Sequence, residues 1–338
     1  MRYFRPARVL VIEEALRYPL AGELVARFTA EGIPVTTVRR VQGIPGDSVR
    51  EGFFEAKRTL VLTVRRRSPL QSCRPSANWQ LPFVSGCPGH CHYCYLNTSF
   101  GLKPYVRVYV NVDEILAQAE EYIERRRPMV TIFEGSATSD PVPLEHWTGS
   151  LRAAIEHFGA HAYGRFRFAT KYDDIDSLIG ARHNGHTRIR FTVNSEHVIS
   201  RWDKATTGLA RRLEAARKVA EAGYPTGFLI GPIVLYPGWE REYTELVEHI
   251  AATFEKGLRK GLSFELIAHR FTPRAKELIE SVYTDTDLPM DTGERTWSYG
   301  QFGYGKWKYA QDAYRRVHEV VKGAITRAIP EARVMYVV

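Results

Sequence analysis

Cysteine, methionine and long apolar runs are the scarce features of this 338-residue chain, which holds four Cys and four Met. No apolar stretch approaches the roughly 18 residues a membrane-spanning helix needs, so no membrane partner is expected. Near the N-terminus the one apolar run is Val9-Leu10-Val11-Ile12, and no small-residue cleavage site follows it. A secretory leader is therefore not expected, and the expected compartment is the cytoplasm. The sequence has no internal repeat and no low-complexity tract. Its 44% hydrophobic and 25% charged residues are the composition of a globular fold, which excludes disorder and collagen-like repeats. Four cysteines, three of them bunched, are too few and too uneven for a disulfide scaffold.

What is present points to a polyanion and a metal. Lys plus Arg exceed Asp plus Glu by 47 to 38, a net charge of +9, which favours a polyanionic partner. The short runs Arg65-Arg66-Arg67 and Arg125-Arg126-Arg127 read as solvated ends of elements.

Periodicity divides the chain into three stretches. Residues 1–78 read as a small α/β layer, with strands at Arg8–Ile12, Ile33–Val38 and Thr59–Val64 and a helix at Leu20–Glu31. Residues 79–270 alternate strand and helix. Strands are expected at Leu81–Val84, Met129–Phe133, Phe166–Thr170, Arg188–Val193, Gly227–Leu235 and Ser263–Ile267. Helices are expected at Val112–Arg127, Leu144–Phe158, Asp173–Ile179, Leu209–Ala222 and Glu240–Leu258. Such alternation gives parallel, right-handed βα units, in an open doubly wound sheet or a partial barrel, with the site at the carboxyl ends of the strands. Residues 271–338 form an extension: a helix near Ala275–Val282, a glycine–aromatic segment at about 297–309, a helix over Gln311–Ala328 and a strand at Arg333–Val337.

Cys87, Cys91 and Cys94 fall within eight residues, on a loop after the first strand of the alternating region. Thiolates suit iron–sulfur clusters or zinc. A 4Fe–4S cluster normally takes four cysteines, so three leave one iron open to a small chelating molecule. Zinc, with His90 or His92 as the fourth ligand, is the alternative.

With Tyr93 just before the last cysteine, this loop resembles the radical S-adenosylmethionine superfamily. The stretch Gly86-Cys87-Pro88-Gly89-His90-Cys91-His92-Tyr93-Cys94-Tyr95-Leu96 resembles the spore photoproduct lyase family more narrowly. So do Lys103-Pro104-Tyr105, Tyr109-Val110-Asn111-Val112, Thr138-Ser139-Asp140, Ala154 to Gly159, His183-Asn184-Gly185, Phe264 to Ile267 and His269-Arg270-Phe271. The resemblance runs over nearly the whole chain, in the family's order. It implies a partial (β/α)6 TIM-type barrel with a small N-terminal α/β layer and a C-terminal hairpin and helix extension. It also implies a 4Fe–4S cluster on Cys87, Cys91 and Cys94, with S-adenosyl-L-methionine on the open iron. The activity implied is a carbon–carbon lyase that reverses 5-thyminyl-5,6-dihydrothymine in UV-damaged double-stranded DNA of the spore core through a 5′-deoxyadenosyl radical. A flavodoxin- or ferredoxin-type electron donor and a monomeric enzyme are expected. Two alternatives are a radical enzyme acting on another nucleic acid or a metabolite, and a zinc-stapled binding protein without catalysis.

Further residues are candidates beside the cysteines. Lys171 ends a strand, where a cation suits an anion in the cleft; by resemblance it holds the cofactor carboxylate. Ser139 and Asp140 are candidates for the ribose or amino group, although Thr-Ser-Asp alone is often a helix cap. Thr192 and Asn194 end the next strand, as cofactor contacts or as ordinary packing. Tyr93 and Tyr95 read as cover for the cluster, and the resemblance makes Tyr95 a hydrogen relay. In the glycine–aromatic segment, Gln301, Phe302, Tyr304 and Lys306 are candidate DNA contacts, the aromatics filling the gap left by a flipped base. Many members of the family carry a hydrogen-donor cysteine where this chain has Ala137. Cys73, the one cysteine outside the cluster, is the candidate replacement, on a loop expected beside the barrel mouth.

Overall fold

In Arg8–Ile12 alternate residues Val9 and Val11 are fully buried. The strand pairs in parallel with Val35–Val38 on one side and Thr59–Thr63 on the other. Val106–Tyr109 adds in parallel beyond Thr59–Thr63, and Val84–Ser85 closes that edge antiparallel. The helix Pro19–Ala30 buries Ala21, Leu24 and Phe28, a stripe at helical spacing; Phe28 lies against Trp147 with ring centroids 4.4 Å apart. A second helix, Val49–Arg58, occupies a stretch to which the sequence pattern assigned no element. Ser48 caps it by accepting from the Glu51 amide at 3.2 Å, and the Glu51 carboxylate accepts from the Asp47 amide at 3.1 Å. The Ser48 bond satisfies an amide the first turn leaves open, and the Glu51 bond ties down the residue before the cap. Phe53, Ala56 and Lys57 are its buried residues.

The structure, a computed structural model, describes residues 3–43, 47–300, 303 and 305–338. The chain forms two compact units, Met1–Pro88 with Leu102–Arg188, and Gly89–Gly101 with Ile189–Val338. The division falls inside the cysteine loop: Cys87 belongs to the first unit, Cys91 and Cys94 to the second.

The first unit holds a second sheet in which Ala77–Leu81, Thr131–Gly135 and Gly164–Thr170 run parallel, with Ser72–Cys73 antiparallel at the edge. The expected strand Leu81–Val84 is thus divided, because Pro82 has no amide to continue a ladder. The single helix expected over Leu144–Phe158 is two, Val142–Thr148 and Ser150–Gly159, broken where Gly149 takes φ 61°. Thr187–Val193, in the second unit from Ile189 onward, lies in parallel beside Thr226–Ile233, and Ser263–Ala268 and Arg333–Val337 follow in parallel. The last strand of the extension therefore joins the barrel-type sheet. Charged pairs are buried among these strands: Arg167 with Glu134 at 3.3 Å in the first unit, Arg190 with Glu265 at 2.8 Å in the second. Among the described residues, no helix is long and apolar enough to cross a membrane.

Candidate active site

In the first unit the chain entering the cysteine loop is knitted to the loop after Thr131–Gly135. The Ser136 amide donates to Leu81 O at 2.7 Å, and its hydroxyl accepts from the Val84 amide at 3.1 Å. Gly86 N donates to Thr138 O at 3.0 Å, and the Ser139 hydroxyl donates to Gly86 O. Gly86 has φ +73°, and a Cβ there would meet Tyr105 O at 2.2 Å, so no other residue fits this approach. Ser139 is thereby given a loop-holding role. Asp140 is buried, with its carboxylate accepting from the Lys171 amide at 2.7 Å and the Val142 amide at 3.3 Å. Burial pushes its carboxyl up to about 6, against the opposing pull of those amides, the Thr170 hydroxyl and the Lys171 charge. Asp140 thus ties together the carboxyl ends of Thr131–Gly135 and Gly164–Thr170, and Lys171 starts where that tie is made.

Cys73 is half-buried and pairs with Ala77, at the amino end of Ala77–Leu81. The expectation of a loop beside the barrel mouth is corrected on this point: the two-residue strand Ser72–Cys73 runs antiparallel, so its turn lies at the start of the neighbouring strand. The same turn is bound to the strand that leads toward Ala137. Ser76 donates to Glu134 Oε2 at 2.7 Å, and Arg167 donates to Ser76 O at 2.9 Å. Lys57, itself buried, donates from Nζ to Cys87 O at 3.0 Å.

In the second unit, His90–Cys91 pairs antiparallel with Asp203–Lys204. The buried Cys91 thiol donates to Asp203 Oδ1 at 2.7 Å. Asp203 Oδ2 accepts from Arg212 Nη2 at 2.7 Å, and both side chains are fully buried. Arg212 also donates to Thr207 O, Thr192 O and the Thr206 hydroxyl. Tyr93 hydrogen-bonds Asp203, and burial, with that charge, pushes its phenol well up. Cys94 N donates to Cys91 O at 3.2 Å, which closes a turn between the two thiols. Tyr95 is 62% exposed and Tyr93 only partly so, and the two tyrosines flanking Cys94 thus differ in exposure. His92 is stacked on Tyr283 at 4.2 Å with Nδ1 2.8 Å from the Thr286 hydroxyl.

Thr192 contributes its carbonyl to Arg212. The Asn194 amide is taken up locally: its oxygen accepts from Tyr243 Oη at 2.6 Å and from Ser195 N at 3.0 Å, and its nitrogen donates to Pro232 O at 2.8 Å. Of the two readings for Asn194, this geometry is that of strand-end packing.

Of the DNA candidates, Gln301, Phe302 and Tyr304 lie outside the described residues. Lys306 sits on Gly305–Tyr309, which pairs antiparallel with Arg295–Tyr299 and Arg270–Phe271. The register puts Lys306, Lys308 and Arg270 on one face and Trp297, Tyr299 and Trp307 on the other. Burial, then the charges of Arg270 and Lys308, lower the Lys306 ammonium. Trp297 is 40% exposed and Tyr299 72%. These aromatics were within the segment that the sequence pattern marked but were not singled out. Lys57, Asp203 and Arg212 were also missed. Their signals were the helix cap at Ser48 and an arginine on the apolar stripe Leu209, Arg212, Leu213, Ala216.

The model of the spore photoproduct lyase family matches residues 4–338. Spore photoproduct lyase of Geobacillus sp. is 47% identical over 339 residues, covering 99% of each chain. That of Clostridium acetobutylicum is 45% identical over 333 residues, covering 98% of each, and that of Bacillus subtilis is 44% identical over 336. A solved mutant of spore photoproduct lyase with bound AdoMet and dinucleoside spore photoproduct has a TM-score of 0.97 at 46% identity, covering 99% of both chains. A spore photoproduct lyase complexed with dinucleoside spore photoproduct has a TM-score of 0.96. Fold and cysteine loop together define a radical S-adenosylmethionine enzyme on a partial TIM-type barrel. More narrowly, the chain belongs to the spore photoproduct lyase family, a family of DNA repair enzymes.

Proposed function

We propose that this chain reverses 5-thyminyl-5,6-dihydrothymine in UV-damaged double-stranded DNA to two thymines. The observation that carries the reading is the three-cysteine loop, fastened through Gly86 to the Thr138–Asp140 loop, in a chain matched end to end by lyases solved with the lesion dinucleoside. The donor set fits a 4Fe–4S cluster: three thiols within eight residues, none in a disulfide. Cys87, Cys91 and Cys94 hold it, and S-adenosyl-L-methionine binds beside it, with Lys171 facing the carboxylate and Asp140 the polar groups. Bound together, and given one electron by the reductant, the cluster and S-adenosyl-L-methionine would supply the radical chemistry needed for hydrogen abstraction from C6 of the lesion. Tyr93 and Tyr95 flank the last ligand, the first as cover and the second as a relay. The cation face of the hairpin, Lys306 included, contacts the DNA backbone, and Phe302 and Tyr304 are the side chains that fill the space of the extruded step. The reductant is a flavodoxin or ferredoxin, and the enzyme works as a monomer in the cytoplasm of the spore core.

Ala137 has no hydrogen to return to the product radical, and Cys73 is the one thiol left outside the cluster. Being the one remaining thiol is what supports Cys73 as the donor; its turn stands at the amino end of Ala77–Leu81, tied through Ser76 to Glu134. The tests use anaerobically reconstituted full chain with dinucleoside spore photoproduct. Wild type should carry a 4Fe–4S cluster and release thymine; cofactor cleavage without thymine release would sink the substrate assignment. Cys73→Ala should keep cofactor cleavage while thymine yield falls and trapped by-products appear. Unchanged yield removes Cys73 from the reaction.

A further inference from the structure

Lys57 is the penultimate residue of the helix Val49–Arg58, in the N-terminal layer, and is only 3% exposed. A buried ammonium is costly unless something meets its charge. Here two groups do. The Phe53 ring, one turn earlier, lies with its centroid 5.5 Å from Nζ, a cation–π contact. Ahead of it, Nζ donates to the Cys87 carbonyl at 3.0 Å. The acceptor is the backbone of a cysteine rather than its sulfur, so binding of the sulfur to a metal leaves this hydrogen bond in place. The other groups of the helix's last turn are turned elsewhere: Glu55 is shared between Arg8 and Arg58.

We propose that Lys57 is the positioning residue of the cysteine loop and the cation that raises the reduction potential of a cluster held there. The proposal rests on the reading of Cys87, Cys91 and Cys94 as cluster ligands. Cluster potentials follow net charge, hydrogen bonding and exposure. Reduction adds a negative charge, and a fixed positive charge one residue's reach from a ligating sulfur, inside a low-dielectric interior, stabilises the reduced form more than the oxidised one. The N-terminal layer thereby contributes a residue to the redox site.

The test compares wild type with Lys57→Met, which removes charge and donor, Lys57→Gln, which keeps an N–H donor without charge, and Lys57→Arg, which keeps the charge. Each full-length protein is reconstituted anaerobically. Three readouts follow: iron per chain, midpoint potential by EPR-monitored titration without S-adenosyl-L-methionine, and melting of the iron-free chain. Lys57→Met and Lys57→Gln should shift reduction to lower potential by about tenfold in the equilibrium, about 59 mV for one electron. Lys57→Arg should stay near wild type. Iron content lower in Lys57→Met than in Lys57→Gln would assign loop positioning to the hydrogen bond. Full iron and an unchanged potential in both charge-free variants overturn the proposal. Should Lys57→Met fail to fold, Lys57→Gln decides alone. A wild type that takes up no iron fails the cluster reading itself, and the proposal falls with it, a result seen before any variant is compared.

Discussion

The two compact units hold the cysteine loop by different physics. The first unit grips Cys87 by its backbone, with one buried cation, Lys57, on the carbonyl. The second grips Cys91 by its sulfur, through a fully buried Asp203–Arg212 pair. A carbonyl contact is indifferent to what the sulfur binds. A thiol that donates to a carboxylate has no proton left to donate once it is a metal-bound thiolate. The first anchor is therefore the same with and without metal, whereas the second must be rebuilt on loading. The second unit meets that demand with redundancy: Asp203 has Arg212, the Tyr93 hydroxyl and the paired backbone of His90–Cys91 around it.

The largest effect tests that asymmetry directly. Arg212→Leu leaves the Asp203 carboxylate buried without its guanidinium, together with two carbonyls and a hydroxyl that lose their donor. Breaking a buried pair in this way costs about 3–5 kcal/mol. Chemical denaturation of the iron-free chain should show it, and a loss below about 1 kcal/mol would mean that the second anchor is not the stronger one.

The units also differ in how stability follows pH. In the second unit His269 is buried beside Arg295, and burial, then the Arg295 charge, lower it from 6.5 to about 3. Its folded value lies below its unfolded one, so the stability it contributes is complete above 6.5 and is lost as pH falls toward 3, at most about 1.4 kcal/mol per unit. In the first unit Asp140 is raised from 3.8 to about 6. Its contribution is complete below 3.8 and is lost as pH rises through 6, by at most about 3 kcal/mol in all. Between about pH 4 and 6 these two slopes are opposed and largely cancel, so urea melts of the wild type should change little there. His269→Gln should make stability fall as pH rises through that window and Asp140→Asn should make it rise; if neither variant tilts the profile in its own direction, the burial argument for these two groups is wrong.

The sequence made much of this legible, and the part it hid has a physical reason. The short run of β-branched and apolar residues in Arg8–Ile12 gave that strand its observed bounds, and the βα alternation led to the parallel sheets. Three thiols at that spacing disclosed the site because few uses of cysteine require such crowding. Val49–Arg58 was hidden because its apolar face is short and one of its three buried residues, Lys57, is a charge. Arg212 was hidden likewise: a charge on an apolar stripe reads as a surface side chain until its buried partner, nine residues upstream on another element, is known. Asn194 ended its strand where a ligand contact was expected, yet Tyr243 and Pro232, both distant in sequence, take up its amide.

The smallest effect belongs to the first anchor. In the iron-free chain, Lys57→Met removes the charged-donor hydrogen bond to the Cys87 carbonyl, worth about 1.5–3 kcal/mol. It also relieves the cost of burying an ammonium, and the methionine stem keeps the packing on Phe53, where sulfur–aromatic contact is favourable. These terms oppose one another, so the net loss should be about 1 kcal/mol, well under that of Arg212→Leu. The Cys87 carbonyl loses its Lys57 donor, whereas Arg212→Leu takes the donor from four acceptors around a fully buried carboxylate. Paired denaturation curves for the two variants give the ratio. A Lys57→Met loss equal to that of Arg212→Leu would erase the difference between the anchors, because it would make the lone cation as much a part of the fold as the buried ion pair.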